Sequence, residues 1–216
     1  MRNKFNEQLH ILNNEMIQMG NQIVRAIQNS ITAFFEQDEE RARQIMQEDE
    51  LVDQEQKKIE MLCFQLLAQQ QPVAGDLRCI TAAMKMVTDM ERIGDHAADI
   101  SELTILMARN PYPLESDNIR RMAAETMEML LHAIEAYVER NIEKARDVIS
   151  HDDVVDELFL NVKADLIGVM QLHQDYAEEA ADLLLVNKYL ERIGDHATNI
   201  AEWVIFAVDE QRLEKQ

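Results

Sequence analysis

Turn-forming residues are scarce in this chain. Of 216 residues only 5 are glycine and 3 proline, against a combined usual share of roughly 12%, and a strand-rich fold with many tight turns cannot be built from so few. Long helices joined by few connections remain. Aromatics are also few, with 6 Phe, 4 Tyr and 1 Trp, so a core drawn from the 47% apolar residues must rest on Leu, Ile, Val, Met and Ala, the residues of helical bundles. Cys63 and Cys79 are the only cysteines, too sparse for a zinc motif or a disulfide framework, and they are expected to be reduced core thiols.

Basic charge is the other deficit. There are 21 Lys and Arg against 41 Asp and Glu, a net charge of −20, and the excess is spread as −8 over residues 1–108 and −12 over residues 109–216. Nucleic acids and anionic bilayers are bound through basic faces, so no nucleic-acid partner is expected. The N-terminus, Met1-Arg2-Asn3-Lys4-Phe5-Asn6-Glu7, meets polar residues where a signal peptide needs an apolar stretch. The longest strong apolar run, Trp203 to Val208, is about a third of the ~20 residues that span a membrane. A soluble, cytoplasmic protein is expected.

What is present is helical periodicity. Phe5, Leu9, Leu12, Met16, Met19, Ile23, Ile27, Ile31 and Phe34 recur by threes and fours, the seam of an amphipathic bundle helix. Asp38, followed by Glu39 and Glu40, predicts the N-cap of a second helix reaching about Gln70. Gln71-Pro72-Val73-Ala74-Gly75 breaks that helix, and Asp76 predicts the cap of a third reaching about Ala108. Asn110-Pro111-Tyr112-Pro113 holds two of the three prolines and reads as an interdomain connection. Beyond it, helices are expected over 115–140, 142–172 and 178–212.

The two halves match. Glu40-Arg41-Ala42-Arg43 returns as Glu143-Lys144-Ala145-Arg146, and Asp49-Glu50-Leu51-Val52-Asp53 as Asp152-Asp153-Val154-Val155-Asp156. Both are offset by 103. At an offset of 100, Glu91-Arg92-Ile93-Gly94-Asp95-His96-Ala97 returns identically as Glu191-Arg192-Ile193-Gly194-Asp195-His196-Ala197. The expected fold is all-α: two pseudo-symmetric three-helix bundles, six long helices in all, arising from an internal duplication. The domains are expected over 1–109 and 114–216.

The repeated heptapeptide carries Glu-x-x-x-Asp, and residues four apart share a helix face. Glu91 and Asp95 are therefore neighbours, as are Glu191 and Asp195; Asp49 with Asp53 and Asp152 with Asp156 repeat the spacing one helix earlier. Like charges at this spacing cost an isolated helix a few tenths of a kcal/mol, and a hard cation held by carboxylate oxygens would offset that cost. Asp99, Glu102, Asn199 and Glu202 lie further along the same stripes.

Alone, the two Asp pairs read better as solvated helix faces than as ligands. The heptapeptide does not, because Gly94 and Gly194 sit mid-helix, where each costs ~1 kcal/mol against Ala. Each implies close approach by another backbone or a bound group. His96 and His196 read as flanking groups or ordinary hydrogen-bonded histidines, and Arg92 and Arg192 as local partners of the acidic stripe. A ferritin-like di-iron site needs Glu-x-x-His on two helices, and only Glu7-Gln8-Leu9-His10 offers it. No phosphate-binding Gly-rich loop and no nucleophile elbow is present in the sequence.

Gln71-Pro72-Val73-Ala74-Gly75-Asp76-Leu77-Arg78 and both Glu-Arg-Ile-Gly-Asp segments closely resemble the hallmarks of the PhoU family of bacterial phosphate-transport accessory proteins, along essentially the whole chain. That resemblance implies homodimers and metal binding through Glu91, Asp95, Glu191 and Asp195, with Asp49, Asp53, Asp152 and Asp156 as the matching pairs. The ions would be Mn, Mg, Fe or Zn. It further implies a non-enzymatic negative regulator of the phosphate-starvation response and of phosphate uptake. Its partners would be the phosphate transporter ATPase subunit and a sensor histidine kinase, with the membrane reached only peripherally through them. The competing reading is a carboxylate-bridged metalloenzyme acting on phosphorylated compounds.

Overall fold

A computed structural model describes residues 2–69, 72–109 and 117–209. Six α-helices follow one another: α1 (Arg2–Glu36), α2 (Glu39–Gln69), α3 (Ala74–Met107), α4 (Asp117–Glu139), α5 (Ile142–Leu172) and α6 (Ala177–Val208). A single 3-10 turn, Gln174–Tyr176, precedes α6, and no strand occurs among the described residues. Helices α1, α2 and α3 pack on one another to form a first unit, and α4, α5 and α6 a second. The units meet chiefly along α3 and α6, with α1 also touching α4. The expected proline-rich connection at 110–113 and the expected ends of the fourth helix at 115 and the sixth at 212 lie outside the described residues.

The apolar stripes become the core. Leu12, Met16, Met19, Ile23 and Ile27 of α1 and Ile80, Met86, Met90, Ile93 and Ile100 of α3 are buried, as are Val186, Leu190, Ile193 and Ile200 of α6. Cys63 is buried within this core, and burial pushes its thiol up to about 12. Cys79 is only half-buried, and both thiols are free.

The duplication is visible in the backbone. Between α1 and α2 the chain turns through Gln37 at φ 53°, and between α4 and α5 through Arg140 at the same φ. The next residue closes the same hydrogen bond in each unit: Asp38 N–H donates to the Ala33 carbonyl and Asn141 N–H to the Ala136 carbonyl, both at 2.9 Å. This is a Schellman ending in which the left-handed position is not glycine. The same two residues then start the next helix, Asp38 Oδ1 accepting from Arg41 N–H at 3.0 Å and Asn141 Oδ1 from Lys144 N–H at 3.1 Å.

At α3 the expected cap is corrected. Helix α3 begins at Ala74, its N-cap is Val73, and no side chain caps it. Asp76 lies in the first turn, where its charge faces the helix dipole.

Candidate metal centre

Helix α2 supplies Asp49 and Asp53, and α3 supplies Glu91 and Asp95. Each pair lies on one face of its helix, and Gly94 lets the two faces close on each other. A Cβ placed on Gly94 would meet Val52 Cγ1 at 3.0 Å and Asp49 Oδ1 at 3.5 Å. The close neighbours of this mid-helix glycine are thus side chains of the preceding helix, rather than a second backbone. One of them is the acidic group itself.

With the helices this close, one carboxylate oxygen from each of Asp53, Glu91 and Asp95 falls within 4.8 Å of the other two, and all three side chains are half-buried. Among the described residues this is the one set of three or more acids, histidines or cysteines so gathered. Asp49 stands beside it. Burial first, then the charges of Asp95, Asp53 and Asp99, push the Asp49 carboxyl up to about 6. Glu91 is raised as well, by burial and by Asp95, with Arg92 opposing. Arg92 spans the outer edge, its NH1 3.1 Å from Asp95 Oδ2 and its Nε 3.5 Å from Glu91 Oε2.

The raised carboxyls reflect burial first and, second, the negative charge gathered around them. An all-oxygen set of this kind fits a hard divalent or iron-type cation. Asp53, Glu91 and Asp95 would hold it, with Asp49 adjacent.

The second unit repeats the layout without the convergence. A Cβ on Gly194 would meet Val155 Cγ1 at 3.4 Å and Asp152 Oδ1 at 3.7 Å, the same two partners as in the first unit but looser. Burial, then Asp156 and Asp195, raise the Asp152 carboxyl; burial, then Glu191, raise that of Asp195. Glu191, however, is taken by Lys188, whose Nζ donates to Glu191 Oε1 at 2.6 Å. The counterpart of Lys188 in α3 is Thr88, which hydrogen-bonds its own helix through the Met84 carbonyl.

The two histidines turn into the seam between α3 and α6. His96 is buried, with Nδ1 3.1 Å from Asp99 Oδ2, and its ring stacks on Tyr189 at 5.3 Å and lies 5.9 Å from His196. Burial lowers its pKa. His196 Nδ1 is 2.8 Å from Asp89 Oδ1, which also accepts from Asn199 Nδ2 at 3.1 Å. Asn199 is therefore spent on Asp89, a residue outside the repeated motif whose role depends on how α3 and α6 dock.

Comparisons with known proteins agree with this layout. The family model described as PhoU domain matches residues 16–104 and again 119–204. A Phosphate-specific transport system accessory protein PhoU homolog of Clostridium acetobutylicum is 36% identical over 208 residues, covering 96% of this chain and 95% of that protein. The homolog from Borreliella burgdorferi is 31% identical, with 95% of each chain covered. Among solved structures, the crystal structure of PhoU from Pseudomonas aeruginosa superposes with a TM-score of 0.92 at 29% identity. The match covers 94% of this chain and 98% of that one.

Proposed function

The chain belongs to the PhoU family, and on that premise we propose that it is a regulatory accessory protein of a phosphate-specific transport system. It restrains phosphate uptake and negatively regulates the phosphate-starvation response. It does so by coupling the transporter ATPase subunit to a membrane sensor histidine kinase, acting as a cytoplasmic homodimer. The observation that carries this reading is the near full-length similarity to relatives named as accessory proteins of such systems. No described helix is long and apolar enough to cross a membrane, so contact with the membrane would run through those partners.

The acidic centre gives the role a physical handle. A divalent cation on Asp53, Glu91 and Asp95 supplies positive charge to a face that otherwise repels anionic surfaces, and so changes its complementarity to a partner. Asp152, Asp156, Glu191 and Asp195 offer a second such face once Lys188 is displaced. In this reading the role is non-catalytic, which the naming of the relatives as accessory proteins supports.

Deletion of the gene in the source organism tests the role. Phosphate-responsive transcription and phosphate uptake should both rise in phosphate-replete medium and return to normal on complementation. Unchanged transcription and uptake would rule the reading out.

A further inference from the structure

The groove between α4 and α5 carries chemistry that its counterpart in the first unit lacks. It is a cavity of about 370 Å³ whose lining includes Glu128, His132, Asp147 and His151. Glu128 and His132 are four apart on α4, and Asp147 and His151 four apart on α5, so each pair shares a helix face. Both faces line this one groove. His151 Nε2 lies 2.7 Å from Glu125 Oε2. A carboxylate only accepts, so in the neutral imidazole Nε2 carries the proton and Nδ1 keeps the lone pair that a metal ion needs; a carboxylate behind the imidazole is the usual support of a metal-binding histidine. Of the neighbouring cations, Lys144 is held by Glu135 and Glu139 at 2.7 and 3.1 Å, and Arg121 reaches the other oxygen of Glu125 at 3.7 Å.

The internal repeat shows that the fold does not require these residues. At the offset of 103, Glu125, Glu128, His132, Asp147 and His151 correspond to Gln22, Arg25, Asn29, Gln44 and Glu48. Four of these, Gln22, Arg25, Asn29 and Glu48, line the equivalent groove between α1 and α2, a cavity of about 280 Å³. At the five matched positions the first unit thus carries three amides, an arginine and one acid, and the second carries two imidazoles and three acids. The second groove is also lined by Asn141, Glu143 and Lys144, and the first also by Asp49.

We propose that the α4/α5 groove is a separate cation site for an imidazole-preferring divalent ion of the zinc class. His132 and His151 are its nitrogen ligands, and Glu128 and Asp147 its oxygen donors. Four mixed nitrogen and oxygen donors suit a tetrahedral zinc-type ion, whereas the all-oxygen set on α2 and α3 suits a harder one. The four ligand atoms are not gathered as those of Asp53, Glu91 and Asp95 are. All four side chains are half-buried or exposed around an open groove, so the ion draws them in by side-chain rotation while the helices stay in place.

The full chain, stripped with chelator and dialysed, is titrated calorimetrically with zinc chloride. The background carries Asp53→Asn, Glu91→Gln and Asp95→Asn together with Asp152→Asn, Asp156→Asn and Asp195→Asn, so that neither the α2/α3 nor the α5/α6 acidic face contributes. One tight zinc equivalent is expected to remain. Replacing Glu128→Arg with His132→Asn gives the groove the residue types the first unit already folds with, and should weaken that binding by about tenfold or more. His151→Ala should do the same, and Glu125→Gln should weaken it by about tenfold. A zinc affinity and stoichiometry unchanged by Glu128→Arg with His132→Asn, or by His151→Ala, would overturn the assignment. Circular dichroism melts confirm that each variant is folded. The outcome is independent of the transport role.

Discussion

Gly94 and Gly194 occupy matching positions, yet they differ by a few tenths of an ångström in a way that predicts different responses to alanine. At Gly94 the new Cβ would sit 3.0 Å from Val52 Cγ1. Val52 is β-branched on a helix and has one favoured rotamer, so it can give way only by moving α2. Overpacking of this kind costs about 1–3 kcal/mol, set against the ~1 kcal/mol that alanine gains over glycine within a helix. At Gly194 the contact is an ordinary 3.4 Å, and the helix gain is kept. In urea unfolding of the metal-free protein, Gly194→Ala should therefore be neutral or stabilising by up to about 1 kcal/mol. Gly94→Ala should be less stable than Gly194→Ala by about 1–2 kcal/mol. Equal effects would contradict the close approach described for α2 and α3.

Asp49 makes a prediction of its own. Its folded carboxyl titrates at about 6, above its unfolded value of roughly 3.9, so the folded chain takes up a proton that the unfolded chain does not. The penalty of the ionised form is fully present above the folded pKa and is relieved as pH falls through it. Glu91, Asp152 and Asp195 are raised in the same direction. The carboxyls lowered by lysine partners, Glu15 and Glu135, lose their contribution only below the ordinary carboxylate range. His96, lowered by burial, works the other way over this range, but it is one imidazole against several raised carboxyls, so without metal the urea midpoint should be higher near about pH 5.5 than near about pH 7.5. With saturating Mn²⁺ the order should reverse, because protons and the ion compete for the same oxygens. A midpoint that falls on acidification in chelator would contradict this electrostatic picture of the site.

At the scale of the helix, the junctions α1/α2 and α4/α5 are two copies of one device. Asp38→Ala and Asn141→Ala each remove a side-chain cap and should each cost about 1 kcal/mol. Gln37→Gly and Arg140→Gly relieve a left-handed backbone position at which an L side chain costs roughly 1 kcal/mol or more. Urea unfolding should show matched pairs of losses and gains, and a change confined to one unit would contradict the equivalence.

Much of this level was legible in the sequence, because apolar spacing and Asp or Asn caps are local signals. The expected span of the fifth helix, 142–172, is the observed one, and the start of the second after Asp38 held to the residue. The cap at Asp76 failed because the N-cap of α3 falls three residues earlier, at Val73, with no side-chain cap, which an isolated acid near a proline cannot reveal. The left-handed turns at Gln37 and Arg140 left no glycine to mark them.

At the candidate site, the i,i+4 pairs could be read from sequence, but their unequal convergence could not. That depends on Lys188 seizing Glu191 where Thr88 cannot reach Glu91, which keeps only the Arg92 contact at the outer edge, a signal present three residues before Glu191 and meaningful only once the side chains are placed. Asp89 was equally hidden, because its bonds to His196 and Asn199 exist only when α6 lies against α3.

Across the whole molecule, a net charge of −20 and two acidic faces on a helical frame oppose contact with another anionic surface, and bound cations would offset that repulsion. The carboxylates of Asp53, Glu91 and Asp95 are held within reach of one another by apolar packing, at Val52 against Gly94 and along the buried stripe of α1. Charge at the centre can therefore change while the fold does not. This separation of scaffold from switchable charge is what the proposed regulatory role needs.

The most direct test is capture of the transporter ATPase subunit by the full chain, with Mn²⁺, with chelator, and by the folded Asp53→Asn, Glu91→Gln, Asp95→Asn variant. The account predicts retention with the ion and its loss both in chelator and in the variant; equal capture under all three conditions would contradict it.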